Sequence, residues 1–121
     1  MPRPLVMGGV VVTDVPTAIA LYEPRALPIE AWQEVAPFAR KAVTDFGPIS
    51  PWAAVQHLGP VARLCVWALE QGLPLDVETL FTPDRVEHFV AVGLPELKDS
   101  SRRTHRSQLT AVGRAITRRA P

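Results

Sequence analysis

Apolar positions fall into helical rows from residue 28 onward. Ile29, Trp32, Val35 and Ala36 stand at i, i+3, i+6 and i+7, the spacing that puts side chains on one face of a helix. Pro28 suits the first turn, where a missing N–H costs nothing. The row continues through Phe38, Ala39, Ala42, Val43 and Phe46, past Pro37, which is expected to kink or split the helix. Gly47-Pro48 ends it. Ser50-Pro51 then supplies an N-cap and a first-turn proline. Val55, Leu58, Ala62, Cys65, Val66 and Leu69 make the next stripe, and Val61, Leu64 and Trp67 spread apolarity around most of the circumference. A helix apolar on nearly all sides is the buried centre of a domain. Gly59-Pro60 is expected to bend it, and Gly72 to stop it.

Residues 73–81 contain Pro74 and read as a loop that lays Leu75, Leu80 and Phe81 on the core. Thr82-Pro83-Asp84 starts another helix with a hydroxyl cap, a proline and an acid in its first turn. Val86, Phe89 and Val90 form its inner face, Gly93 closes it and Pro95 prevents continuation. The last helix is expected to begin near Asp99 or Ser100, both able to cap. At about 100° per residue, His105, Leu109, Val112 and Ile116 fall within about 60° of one another. Arg103, Arg106, Ser107, Thr110, Arg114 and Arg118 fall on the opposite side.

Residues 1–27 are rich in proline, glycine and β-branched residues. They read as an irregular arm, extended or holding one short strand at Val10–Thr13 between Gly8-Gly9 and Asp14. The expected fold is therefore all-α: a compact bundle of about four helices over residues 28–121, with an irregular N-terminal arm over 1–27.

Composition narrows the class. A chain of 121 residues, 47% of them hydrophobic, fits one domain with a real core and excludes wholesale disorder. The single cysteine, Cys65, excludes a disulfide framework and a multi-thiolate metal site, and its apolar surroundings assign it to core packing. No apolar run approaches the roughly 18 residues of a membrane span, and the N-terminus lacks the long apolar region of a leader. The cytoplasm is the expected compartment. His57, His88 and His105 are far apart, with no cysteine or carboxylate at ligand spacing, so no metal is expected. No phosphate-binding loop, nucleophile elbow or dinucleotide fingerprint occurs, so neither an enzyme nor a small-molecule cofactor is expected. Trp32, Trp52 and Trp67 lie inside apolar patterns and read as core.

The net charge of +1 conceals its distribution. Residues 1–97 carry six basic and eleven acidic groups, a net −5. Residues 98–121 carry seven basic groups and one acid, a net +6. Such asymmetry points to an anionic partner. Arginine and lysine neutralise phosphates, and hydroxyls hydrogen-bond to phosphate oxygens. Two readings follow. In the first, the basic helix meets double-stranded DNA. In the second, the chain is a protein-interaction adaptor: the arm, or Val10–Val12, docks on a partner and the basic helix meets an acidic protein surface, such as another copy's body or a recombinase or regulatory protein. A solvated helix paired with the acidic body is the bland third.

Three segments in order carry a family resemblance: Val61–Asp76 (VARLCVWALEQGLPLD), Leu80–Leu94 (LFTPDRVEHFVAVGL) and Leu97–Ile116 (LKDSSRRTHRSQLTAVGRAI). From about Ala26 onward the chain resembles the N-terminal core-binding domain of tyrosine recombinases, the phage integrases, in an actinobacterial style. The resemblance implies a helical bundle that clamps one side of a DNA duplex. It implies DNA contacts from Arg102, Arg103, Arg106, Ser107 and Arg114, and from His57 and Arg63 on an earlier helix. Lys98, Thr110, Arg118 and Arg119 extend the same basic surface. The family's catalytic arginine, His-x-x-Arg and tyrosine belong to a second domain, and Tyr22 is out of place for that nucleophile. The chain stops where that domain would begin. It is expected to be non-catalytic, as a piece of a longer recombinase, a degenerate relative or a stand-alone binding protein associated with the nucleoid.

Overall fold

The computed structural model describes residues 4–118. The chain opens with a hairpin in which β1 (Leu5–Met7) pairs antiparallel with β2 (Val10–Val12), Leu5 opposite Val12 and Met7 opposite Val10. The two linking residues, Gly8 and Gly9, have φ of 56° and 81°. Positive φ at both turn positions matches the twist of paired strands, and glycine adopts it without a Cβ clash. Leu5 and Val12 thereby enter the core, while Val6 and Val11 face solvent. Asp14 then caps α1 (Val15–Leu21), accepting from the Thr17 N–H at 2.9 Å and from its hydroxyl at 2.8 Å. What reads in sequence as an irregular arm is a hairpin and a helix. The fold is mostly helical with a small sheet, not purely α.

Five more helices follow: α2 (Ile29–Phe46), α3 (Pro51–Glu70), α4 (Val77–Leu80), α5 (Pro83–Val92) and α6 (Asp99–Ile116). Four of these, α2, α3, α5 and α6, are the ones the apolar spacing predicts. The helices α1 and α4 are additions, so the described residues hold six helices, not about four. Asp76 caps α4 through the Thr79 N–H at 3.0 Å, inside a stretch expected to be loop.

Pro37 does not split α2, and α3 likewise continues through Pro60. Each proline removes one hydrogen bond to the carbonyl four residues earlier. Those carbonyls belong to Gln33 and Gln56, both exposed residues, where water can replace the lost donor. The expected terminators hold. Gly47 ends α2 in the left-handed region at φ 74°. At the end of α3, Gly72 has φ 75°, its N–H donates to Leu69 O, and the Leu73 N–H donates to Ala68 O at 2.9 Å. These two bonds satisfy carbonyls that the helix end would leave bare.

Helix α3 sits at the centre, with α1, α2 and α6 packed around it. Leu58, Val61, Leu64 and Cys65 are fully buried there, and Leu80, Phe81, Phe89, Leu94 and Leu109 complete the interior. Each such large side chain contributes about 1.5–3 kcal/mol on burial. Burial also pushes the Cys65 thiol up to about 12, which leaves it neutral and inert as packing. Trp32 and Trp67 are buried as expected. Trp52 is not: it lies exposed in the first turn of α3, near the fully exposed Ile49.

The N-terminal elements are tied down by a residue that no local pattern marks. From α2, Arg40 donates through Nε to Ile19 O at 3.1 Å and through Nη2 to Ala20 O at 3.0 Å. These carbonyls belong to the last turn of α1, where intrahelical donors run out. The Arg40 guanidinium also lies 5.3 Å from the centre of the Trp32 ring, and Trp32 meets Tyr22 edge-on at 5.7 Å. One arginine thus joins α1 to α2 by charge-assisted bonds, while its cation–π contact with Trp32 lies within α2.

Gly93 ends α5 for a steric reason. Its φ is ordinary, at −90°. A Cβ at this position would stand 2.5 Å from Phe89 Cδ1 and 2.9 Å from the Phe89 carbonyl oxygen. Phe89 cannot retreat, because it is fully buried with its ring 5.3 Å from that of Trp67. Gly93→Ala is therefore expected to destabilise the protein by about 1–3 kcal/mol, the usual cost of overpacking. Urea unfolding monitored by tryptophan fluorescence would read this as a lower midpoint, and an unchanged midpoint would contradict it.

Candidate nucleic-acid interface

Helix α6 lies against α2, α3 and α5. Leu109 and Val112 are fully buried in that contact, and His105 and Ile116 are half-buried on the same side. Their burial fixes the rotation of the helix. Arg103, Arg106, Ser107 and Arg114 are exposed as a consequence, with Thr110 partly covered between them. The outward stripe expected from the periodicity is therefore assembled within α6.

The helix begins at Asp99, as expected, but its cap and its end differ from expectation. Neither Asp99 nor Ser100 caps the helix. Lys98 occupies the N-cap position without a side-chain bond, and Asp99 lies in the first turn, where its charge complements the positive helix end. Arg118 lies beyond the last helical residue. Its backbone N–H donates to both carboxylate oxygens of Glu78, at 3.1 and 3.2 Å. Arg119 lies outside the described residues.

The arginines divide into anchored and outward-facing groups. Arg102 donates through Nε to Leu94 O at 3.1 Å and through Nη1 to Asp99 at 3.2 Å. It fastens the turn between α5 and α6 to the body. Arg106 Nε pairs with Glu87 Oε1 of α5 at 3.0 Å, both side chains about half exposed. Arg103 and Arg114 make no ion pair among the described residues. No acid on α6 beyond Asp99 balances the stripe, and the balancing carboxylate comes instead from a neighbouring helix.

Between α5 and α6 runs an open groove of about 330 Å³, lined by Val90, Ala91, Asp99, Arg102, Arg103 and Arg106. It has an apolar wall on one side and guanidinium groups on the other. A phosphate-sized anion could approach Arg103 and Arg106 together there, in the manner of charge-assisted phosphate contacts.

The two α3 candidates have partners of their own and point in different directions from their helix. His57 hydrogen-bonds the Ala53 carbonyl oxygen at 2.7 Å, and its ring stacks at 4.5 Å on Phe46 of α2. Arg63 is six residues further along, about 240° around the helix. Its guanidinium bonds Glu96 Oε1 at 2.6 Å and is four-fifths buried. A hydrogen bond from Glu96's own backbone, then one from Arg63, holds the Glu96 carboxyl below its ordinary range. The third histidine, His88, is exposed on α5 with its ring 5.6 Å from Trp67. Among the described residues no group of three His, Cys, Asp or Glu stands close enough to hold a metal ion, and no helix is long and apolar enough to cross a membrane.

His105 sits at the inner edge of the interface. Burial lowers its pKa below 6.5, and Arg63 pushes the same way against a bond to the Ser101 carbonyl oxygen. A histidine with a depressed folded pKa binds its proton more tightly when unfolded. The stability it supports is present above about pH 6.5 and is lost as the pH falls below that value. Tm is expected to fall between pH 7 and pH 5, and His105→Gln to reduce that slope. Thermal unfolding across the window gives the comparison, and an equal slope in the variant would contradict it.

No family model, no curated protein and no solved structure matches the chain.

Proposed function

We propose that the chain is a non-catalytic module that binds double-stranded DNA through the exposed face of α6. The observation that carries this reading is the stripe of Arg103, Arg106, Ser107, Thr110 and Arg114, held outward by burial of Leu109 and Val112. Guanidinium groups at helical spacing suit phosphates along a groove edge, and the interleaved hydroxyls suit phosphate oxygens. The likeness to a tyrosine-recombinase core-binding domain belongs to the same proposal. It assigns the module to recombination and places the contacts on Arg103, Arg106, Ser107 and Arg114. Arg102 is reassigned from DNA contact to fastening the α5–α6 turn, and Arg63 to pairing with Glu96. Lys98 and Arg118 flank the stripe.

Binding to a short duplex should weaken steeply with salt, log affinity falling by about 0.9 per phosphate contact for each unit of log salt. Arg103→Ala and Arg114→Ala should each weaken binding and reduce that slope by about one. Arg102→Ala should instead lower the unfolding midpoint and leave the slope nearly unchanged. Fluorescence anisotropy at several salt concentrations measures all three. Absent binding at low salt, or a flat salt dependence, would refute the reading.

One observation favours the adaptor reading as a second choice. Val6, Val10 and Val11 of the hairpin are at least half exposed, and the outer edges of both strands carry no paired neighbour among the described residues. Exposed β-branched strand edges accept another chain. Sedimentation would reveal concentration-dependent assembly, with Val11→Lys dispersing it. A monomer at all concentrations would remove self-association through this edge.

A further inference from the structure

We propose that Glu87 is a built-in competitor for DNA phosphate at Arg106, so that the α5–α6 groove has two ion-pairing states. This inference rests on the DNA-binding reading of α6. Within α6 itself, only Asp99 opposes the arginines, and Asp99 is bonded to Arg102. Arg106 is the one α6 arginine with an ion pair to another helix among the described residues. Its partner, Glu87, projects from α5 and holds Nε at 3.0 Å. That nitrogen is one of the groups with which an arginine would grip a phosphate oxygen. A carboxylate and a phosphate offer the same kind of oxygen acceptors to a guanidinium, so one can take the other's place.

The pair is suited to exchange. Its side chains are 45% and 58% exposed. Water solvates Glu87 once it is released, so no buried charge is stranded. Neither side chain is held by a second partner among the described residues. Arg102 differs on this point, being fixed by two carbonyls and Asp99 at once. Arg103 lines the same groove and makes no ion pair among the described residues, so it can attract the incoming anion before Arg106 lets go. In the closed state Glu87 neutralises Arg106. In the open state Arg106 and Arg103 share a phosphodiester, and Glu87 lies beside the duplex. There it repels the backbone and limits affinity for any phosphate placed less favourably.

A double-mutant cycle on duplex binding tests this directly. The four proteins are the wild type, Glu87→Gln, Arg106→Ala and the double variant, each titrated with the same short duplex at low and at high salt. Glu87→Gln should tighten binding about two- to five-fold at low salt, the factor set by an exposed ion pair. The gain should shrink at high salt, where the pair is already screened. In the Arg106→Ala background the gain should shrink to the part owed to charge repulsion alone, because Glu87 then has no pair to break. A gain that persists undiminished in that background would show a general effect of net charge and overturn the competition. No gain at all would overturn it equally. Failure of all four proteins to bind at low salt would refute the DNA reading itself. Binding by the wild type without coupling would refute only the competitor.

Discussion

The burial of Leu109 and Val112 is the constraint on which the surface of this protein depends. A helix has one rotational freedom about its axis, and two fully buried side chains remove it. Once α6 is locked against α2, α3 and α5, each of its other residues has its direction assigned. Arg103, Ser107 and Arg114 face solvent, Arg102 faces the turn after α5, and Arg106 faces α5 itself. The chemistry of the outer face follows from apolar contacts on the inner one. The same core explains why the arginines cannot simply fold back, since the described interior contains no buried polar or charged residue to receive them.

Local rules made much of this legible. Ser50-Pro51, Thr82-Pro83 and Gly72 mark helix ends by capping chemistry that acts within a few residues, and those ends stand where the rules place them. The two faces of α6 also follow from periodicity alone. At the N-terminus the signals are local and brief. Gly8-Gly9 separates two apolar triplets, which is a hairpin signature, and Asp14 with Pro16 is a helix start. Both elements are short, and a seven-residue helix has little periodicity to display. Pro37 and Pro60 leave α2 and α3 continuous. A proline removes one bond, and flanking turns packed on a core outweigh that loss when the bared carbonyl can reach water.

What sequence could not supply is the pairing of charges across elements. Arg40 reads as one more basic residue, yet it closes α1 from about twenty positions away. Arg63 reads as a candidate for DNA and is bound to Glu96, 33 residues on. Arg106 reads as one of a uniform stripe and is singled out by Glu87. Charge sums by segment describe a −5 body and a +6 tail. The folded chain sorts the same groups into anchored, exchangeable and outward-facing sets. That sorting separates the arginines that hold the fold from those available to a partner.

The most direct test of the interface is to map it by amide chemical shifts as a short duplex is added to the labelled protein. Perturbations are expected to concentrate on Arg103, Arg106, Ser107, Thr110 and Arg114, with a smaller response at Glu87. The hairpin and the turn around Ile49 and Trp52 should stay unchanged. Perturbations centred on Val6, Val10 and Val11, or spread over α2 with α6 silent, would contradict it.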